Sequence, residues 1–232
     1  MLKWLLFTGA VLCPLVPAYA QHAVVLQKLT EWNQAAPAPD EARIKAEIIG
    51  AAKSVYGDIA GCAASAVTIE QARPATAERY VFSAVLGGSM RNAWTVVARL
   101  PGCDSAPVRF MTMQAADGAL RTIRVNRGQS HAWDSLIADA LPLAAMGVHA
   151  AMKRQGIACD AEALYKLGVT RVVSDEGLAP DVFGVRYSGA WSEVWPITMC
   201  GRTAEVTVTF NADGDGGAYI GVPGDKLRIV PQ

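Results

Sequence analysis

Residues 189–201 have the sequence GAWSEVWPITMCG, and their alternating pattern decides the fold. Residues two apart in a β-strand point to the same face, so Trp191, Glu193 and Trp195 are predicted to share one face of a strand. A Cys-Gly turn follows, and the alternation resumes over residues 204–211. The stretch therefore predicts two antiparallel strands joined by a short turn.

The tryptophan and the cysteine of this stretch recur in the first half of the chain at the same spacing. Trp191 and Cys200 lie nine positions apart, and so do Trp94 and Cys103. Each of these two cysteines is preceded by another cysteine forty-one positions earlier, Cys62 before Cys103 and Cys159 before Cys200. Matched spacing of this kind indicates a tandem duplication.

The four cysteines of the two repeats are predicted to form disulfides. An even number of cysteines in an exported chain favours disulfides, because compartments outside the cytoplasm are oxidising. A zinc site is the alternative, but the sequence has no Cys-x-x-Cys pair and no histidine at ligand spacing. Pairing within each repeat is the most economical arrangement for a duplication, and it gives Cys62–Cys103 and Cys159–Cys200.

The first twenty residues predict a cleavable export signal. Lys3 precedes an apolar run from Trp4 to Val16, and residues 18–20, Ala-Tyr-Ala, fit the small-x-small rule for signal peptidase. The run is shorter than the roughly twenty residues that a membrane-spanning helix needs. We therefore expect a periplasmic or secreted protein with no transmembrane anchor after signal cleavage.

Composition and motifs exclude several classes of function. The chain has 21 basic and 21 acidic residues, a formal net charge of zero, which provides no field to attract nucleic acid or an anionic membrane. No glycine-rich phosphate loop follows a predicted strand, and we expect no cofactor. His131, Asp134 and Ser135 are catalytic-triad residue types, but three or four positions apart on one helix they form a stripe and do not converge.

Each repeat is predicted to begin with helices and to continue with antiparallel strands. In the first repeat, Asp40 is the predicted N-cap of the second helix. The predicted helices of this repeat are 22–33 and 40–59, and the strands are 66–71, 79–86, 93–100, 107–113 and 120–125. In the second repeat the helices are 132–140 and 143–155, which meet at Pro142, and the strands are 169–173, 182–187, 190–198, 204–211, 218–222 and 226–230.

Helices followed by consecutive strands are typical of an α+β fold. We predict two tandem repeats, each with helices packed on an antiparallel meander sheet. The predicted divisions are a signal peptide over 1–20, the first repeat over 21–128 and the second over 129–232.

Only the second repeat places a carboxylate between two tryptophans. Aromatic anchors beside a charge are typical of binding hot spots, so we predict that a binding partner contacts Trp191, Glu193 and Trp195, with Tyr187 and Arg186 beside them. In the alternative interpretation both tryptophans belong to the core or its rim, and Glu193 reaches solvent or an arginine.

Residues 211–216 match the first half of a calcium-binding loop. Asn211, Asp213 and Asp215 stand where oxygen ligands would stand, and Gly216 where a sharp turn is needed. Position twelve would be Val222 instead of glutamate, and Asp-Gly and Gly-Gly residues also make hairpin turns. We favour the turn and predict no metal site.

The pattern from Tyr187 to Ile220 is Gly-x-Trp-x-Glu-x-Trp, then Cys-Gly, then Phe-x-x-Asp-Gly and Gly-Gly. It resembles uncharacterised exported bacterial proteins, which implies a disulfide-bearing exported module. Tandem units of helices and a four-stranded sheet also resemble the β-lactamase inhibitor protein, which binds an enzyme on the concave face of its paired sheets. That resemblance is one of architecture, and it implies a protein-binding surface.

These features predict a non-catalytic exported protein that binds another envelope or secreted protein, as an inhibitor or an envelope assembly factor. One alternative is a hydrolase of an envelope polymer, with Glu193 as acid or base and Asp213 or Asp215 as the second carboxylate. Another is a carrier that holds a small ligand between helices and sheet.

Overall fold

The computed structural model describes residues 18–56, 67–102 and 104–231. Among these residues the chain forms four α-helices and ten β-strands, which confirms the predicted α+β class. The helices are α1 (Ala18–Ala35), α2 (Glu41–Tyr56), α3 (Arg79–Leu86) and α4 (Asp134–Arg154). The strands are β1 (Thr68–Pro74), β2 (Met90–Arg99), β3 (Val108–Ala115), β4 (Leu120–Gly128), β5 (Tyr165–Leu167), β6 (Val169–Glu176), β7 (Ala190–Met199), β8 (Arg202–Ala212), β9 (Ala218–Gly221) and β10 (Leu227–Ile229).

All ten strands belong to one sheet. Its order is β1-β2-β3-β4-β6-β7-β8-β10, while β5 pairs with β7 and β9 pairs with β8. Neighbouring strands are antiparallel except at the centre, where β4 and β6 run parallel. The two predicted meanders therefore join edge to edge through this parallel pair.

The joint between β4 and β6 depends on a glycine. Gly128 pairs with Thr170 and has φ +89°, a backbone conformation that favours glycine. A Cβ atom at this position would overlap the carbonyl oxygen of Thr170 and lie 2.8 Å from its nitrogen. Asn126 adds a hydrogen bond of 2.9 Å from its amide to the Thr170 hydroxyl.

Helices cover the sheet differently in its two halves. In the first half, α2 packs on one face, against a cluster that includes Trp94, Val96 and Phe110, and Val81 of α3 packs on the other face. In the second half, α4 packs on one face of β7 and β8. On the opposite face of β7 the side chains are half-buried, except for the exposed Thr198.

Residues 79–86 form helix α3, so the predicted strand there is wrong. Val81 and Val85 lie one helical turn apart and pack together against the sheet, which fixes the helix despite its β-favouring Tyr-Val-Phe sequence. The N–H of Gly87 donates to the carbonyl of Ser83 and ends the helix.

Two further predictions in the second half are wrong. Residues 182–187 form a tight turn instead of a strand, because Phe183 and Gly184 both have positive φ and only Val182 and Val185 pair. Pro142 lies inside a continuous α4 instead of separating two helices. It lies on the exposed side of α4, so packing of the other side against the sheet maintains the helix.

Other predictions are confirmed locally. The Asp40 carboxylate accepts the N–H of Arg43 at 2.8 Å and caps α2. Cys159 and Cys200 form a disulfide with their Cα atoms 5.6 Å apart. The predicted Cys62–Cys103 bond and most of the predicted signal peptide lie outside the described residues. The duplication stays a prediction, because α3 in the first half corresponds to the 182–187 turn in the second.

Among the described residues, α4 is the one helix whose length and hydropathy would suit a membrane span. Half of its most apolar stretch is buried within the protein. Its buried residues belong to the same core cluster as the β7 and β8 side chains. This packing is that of a core helix.

Candidate functional site

The strand β7 places Trp191, Glu193 and Trp195 on one face, as predicted, but that face is the one beneath α4. All three side chains are buried, with Glu193 and Trp195 fully enclosed. The Trp191 ring stacks on Phe210 with centroids 5.0 Å apart. These residues form the core of the second half of the sheet.

Glu193 is the polar centre of this core. Its carboxylate accepts hydrogen bonds from two indole groups of its own strand and from the segment that leads into α4. The bonds to Oε1 come from the Ser130 hydroxyl (2.9 Å), the N–H of His131 (2.7 Å), the N–H of Ala132 (3.1 Å) and the Trp191 indole (3.1 Å), and the bond to Oε2 comes from the Trp195 indole (2.8 Å).

This geometry corrects the predicted role of Glu193. The carboxylate reaches neither solvent nor an arginine, because it is fully buried and its donors are a hydroxyl, two indoles and two backbone N–H groups. With Trp191 and Trp195 buried beside it, these three side chains present no surface to a partner. A substrate likewise has no access to Glu193, so the hydrolase that depends on it has no geometric support.

Two further buried carboxyl groups, Glu78 and Asp134, lie where α3 and α4 begin. The Glu78 carboxylate accepts the N–H of Ser135, in the first turn of α4, at 3.0 Å. Burial, and then the nearby Asp134, raise the pKa of Glu78 well above its usual value. Burial also raises the pKa of Asp134 to about 6, although Arg109 and Arg73 oppose the shift.

Arg109 connects this pair to the segment before α4. Its guanidinium donates to the carbonyl oxygens of Ser130 and Ala132 and lies 3.9 Å from the Asp134 carboxylate. Residues 130–135 are therefore held by Arg109 and Glu78 from the first half of the chain and by Glu193 from the second. His131, Asp134 and Ser135 contact different partners and do not form a triad: His131 contacts Asp175, Asp134 lies near Arg109, and the Ser135 N–H donates to Glu78.

A cleft of about 520 Å³ opens between α1, α3, α4 and the turn that joins β8 to β9. We call it the junction cleft. Its apolar wall comes from the three helices, from the segment before β7 and from β9, and it includes Leu29, Phe82, Trp133, Leu136, Tyr187 and Ile220. The Phe82 ring packs against the Trp32 ring of α1, with ring centroids 5.4 Å apart.

The polar groups of the junction cleft are mainly acidic. Asp139 lies 3.0 Å from Arg79 in an exposed ion pair. Asp213 and Asp215 contribute two further carboxylates from the exposed turn between β8 and β9. Three carboxylates and one guanidinium give the cleft a net negative charge.

Residues singled out in the sequence occupy different places around this cleft. Tyr187 lines it and is half-buried, which raises the pKa of its hydroxyl. Arg186 instead donates to the carbonyl of Ala179. The sequence did not predict that α1 and α3 line the cleft. Residues 79–86 have the pattern of a strand, and no local sequence pattern indicates that α1 lies near α4.

The turn between β8 and β9 explains the calcium-like sequence. One Asp213 oxygen accepts the N–H of Asp215 at 2.8 Å and the N–H of Gly217 at 3.0 Å, so it shapes the hairpin. Within the parts of the chain that the structure describes, no group of three His, Cys, Asp or Glu side chains is placed to hold a metal. The two hydrogen bonds to Asp213 are those expected of a hairpin turn.

The junction cleft combines an apolar wall, hydroxyl groups and unbalanced negative charge. This combination suits recognition of a ligand with an apolar part and a positive charge. No known protein family, curated protein or solved structure matches this chain.

Proposed function

We propose that this chain is an exported, non-catalytic protein that binds a segment of another envelope or secreted protein in the junction cleft. One observation carries the proposal: an apolar wall of side chains from three helices is bordered by Asp139, Asp213 and Asp215. The partner segment would insert an apolar side chain and place a lysine or arginine beside it.

The two parts of this recognition have different energetic roles. Burial of one large apolar side chain against Phe82, Trp133 and Leu136 contributes about 1.5–3 kcal/mol. Exposed carboxylates at Asp213 and Asp215 contribute less to affinity and more to the rate of association and to the choice of partner. The apolar residue is therefore the anchor, and the basic residue provides selectivity.

Export is supported by the predicted signal and by the Cys159–Cys200 disulfide, since disulfides persist in oxidising compartments. The mature chain is expected to begin at Gln21. N-terminal sequencing of the protein from an envelope fraction tests this expectation, and an intact Met1 would contradict it.

The volume of the junction cleft also lies in the range of roughly 300–1,000 Å³ that small-molecule sites occupy. A carrier of a small cationic ligand is therefore the second candidate. It predicts that a thermal-shift screen finds a compound that raises the unfolding temperature while peptides do not.

Selection from a displayed library of random peptides tests the main proposal. Enriched peptides should carry Lys or Arg next to Leu, Phe or Trp. Ser83 lies on the exposed side of α3 and lines the cleft, so Ser83→Trp should fill the cleft and weaken binding at least about tenfold. The control is Leu86→Trp, on the same helix at an exposed position outside the cleft. Failure to enrich any sequence, or equal binding by Ser83→Trp, would contradict the proposal.

A further inference from the structure

The face of the sheet opposite α4 carries a second concave site. Strand register places Glu176, Ala190, Asn211 and Tyr219 in one row across β6, β7, β8 and β9. Directly opposed residues of antiparallel strands share a face, so these four side chains point the same way. Ile220, next to Tyr219, points to the other face and lines the junction cleft.

The adjacent row consists of small residues. Ser174, Ser192, Thr209 and Gly221 are opposed across the same four strands. Short side chains form a floor here, and the longer Glu176, Asn211 and Tyr219 form the rim. The result is a groove of about 630 Å³, with Lys226 also among its lining residues. We call it the sheet groove.

The groups on the rim of the sheet groove are available to a ligand. Tyr219 is 72% exposed, although it lies in a regular strand. The side chains of Glu176, Asn211 and Lys226 make no hydrogen bond or ion pair with another residue in the described parts of the chain. A carboxylate, an amide, an ammonium group and one exposed aromatic ring thus line the same groove.

We propose that the sheet groove binds a saccharide chain. A sugar offers pairs of hydroxyl groups that can donate to the Glu176 carboxylate and both donate to and accept from the Asn211 amide. Its C–H face carries partial positive charge and stacks on the negative face of an aromatic ring such as Tyr219. The hydroxyl groups of the floor supply further donors and acceptors along the length of the groove.

The other features of the sheet groove agree with a neutral, hydroxyl-rich ligand. Asp175 also lines the groove, but it is paired with Trp191 on the α4 face and contacts His131 there. On the face of the groove itself, Glu176 and Lys226 balance each other in charge, so there is no excess charge for a phosphate or a basic peptide. β8 is paired on both sides, with β7 on one and with β9 and β10 on the other, so a peptide cannot add to it as a strand.

Titration with chitotetraose, cellotetraose and maltotetraose, followed by NMR of backbone amides, tests the proposal. At least one of these oligosaccharides should shift amides of residues 174–176, 190–192, 209–211 and 219–221. Tyr219→Ala should weaken that binding about tenfold or more. Tyr165→Ala, a partly exposed tyrosine outside the groove, should leave it unchanged.

Two outcomes would overturn the saccharide site. One is the absence of binding by all three oligosaccharides, and the other is binding that Tyr219→Ala leaves intact. Unfolding midpoints of the variants show whether the fold is preserved. Asn211→Ala keeps Tyr219 and should weaken saccharide binding by itself. The cleft-filling Ser83→Trp should not affect this binding, so the two sites are tested separately.

Discussion

At the scale of single residues, Glu193 is the most constrained group in the second half of the sheet. A carboxylate with no solvent exposure is costly unless every lone pair is satisfied, and here two indoles, a hydroxyl and two backbone N–H groups satisfy it. The alternating sequence predicted that Glu193 shares a face with two tryptophans. It could not predict the burial, because the donors Ser130 to Ala132 lie more than sixty positions away.

Glu193→Gln should destabilise the fold by about 2–4 kcal/mol. Its amide NH₂ group would face either the Trp195 indole N–H or the Trp191 indole and the donors of residues 130–132, so at least one buried donor loses its acceptor. Urea unfolding followed by tryptophan fluorescence measures the change. The control is Glu205→Gln on β8, which removes exposed ion pairs with Arg171 and Arg228 and should cost less than about 1 kcal/mol. Equal effects of the two substitutions would contradict the assigned role.

Asp134 should make the stability depend on pH with a defined sign. Its pKa rises from 3.8 to about 6 on folding, so the folded state binds the proton more tightly and stability falls as pH rises from about 4 to 6. The loss is on the order of 3 kcal/mol, at about 1.4 kcal/mol per pKa unit. Glu78, whose pKa is raised in the same direction, extends the fall to higher pH.

Comparison with Asp134→Asn isolates this contribution from that of the other carboxylates. Unfolding free energies of the two proteins should agree near pH 3.5 and diverge above pH 4, with the variant the more stable at pH 7. If the difference in unfolding free energy does not change with pH, or if the variant is less stable at pH 7, then burial does not raise the pKa of Asp134.

At the scale of elements, the strands with strict alternation were predicted closely, and the segments decided by tertiary contacts were not. β7 and β8 alternate over ten and eleven residues, and the prediction placed both within two residues of their ends. Residues 79–86 have β-favouring side chains, but packing of Val81 and Val85 against the sheet selects the helix. Residues 182–187 were predicted to be a strand but form a turn, because Phe183 and Gly184 have positive φ and an apolar pattern does not reveal the sign of φ.

The disulfide between Cys159 and Cys200 should contribute about 4 kcal/mol, because it closes a loop of 41 positions. The double variant Cys159→Ser, Cys200→Ser is expected to unfold at lower urea concentration by that amount. Peptide mapping without reductant should recover the two cysteines in one linked fragment. A double variant as stable as the parent chain would contradict this contribution.

At the scale of the whole molecule, the parallel pairing of β4 with β6 turns two meanders into one sheet. This joint was not predicted, because parallel pairing depends on contacts between residues more than forty positions apart and leaves no local pattern. The junction cleft follows from it, whereas the sheet groove is formed by β6 to β9 of the second half alone. The junction cleft lies where helices of the two halves meet, and the sheet groove lies on the opposite face.

Gly128→Ala should disrupt the joint and cost about 3 kcal/mol or more, since the new methyl group meets the backbone of Thr170. Gly118→Ala is the matched control. Gly118 has nearly the same φ, +88°, but lies in an open turn, so only the conformational cost of about 1–2 kcal/mol remains. Equal unfolding free energies for the two variants would contradict a close joint at Gly128.

The junction cleft is proposed to bind a peptide segment that carries an apolar and a basic residue. The most direct measurement is an NMR titration of the isotope-labelled protein with a peptide recovered from the library selection. Amide shifts are expected at residues 82–83, 133–136, 187 and 213–218, and these shifts should be lost in Ser83→Trp. Shifts that map to other residues, or that persist when Ser83→Trp fills the cleft, would contradict the proposal.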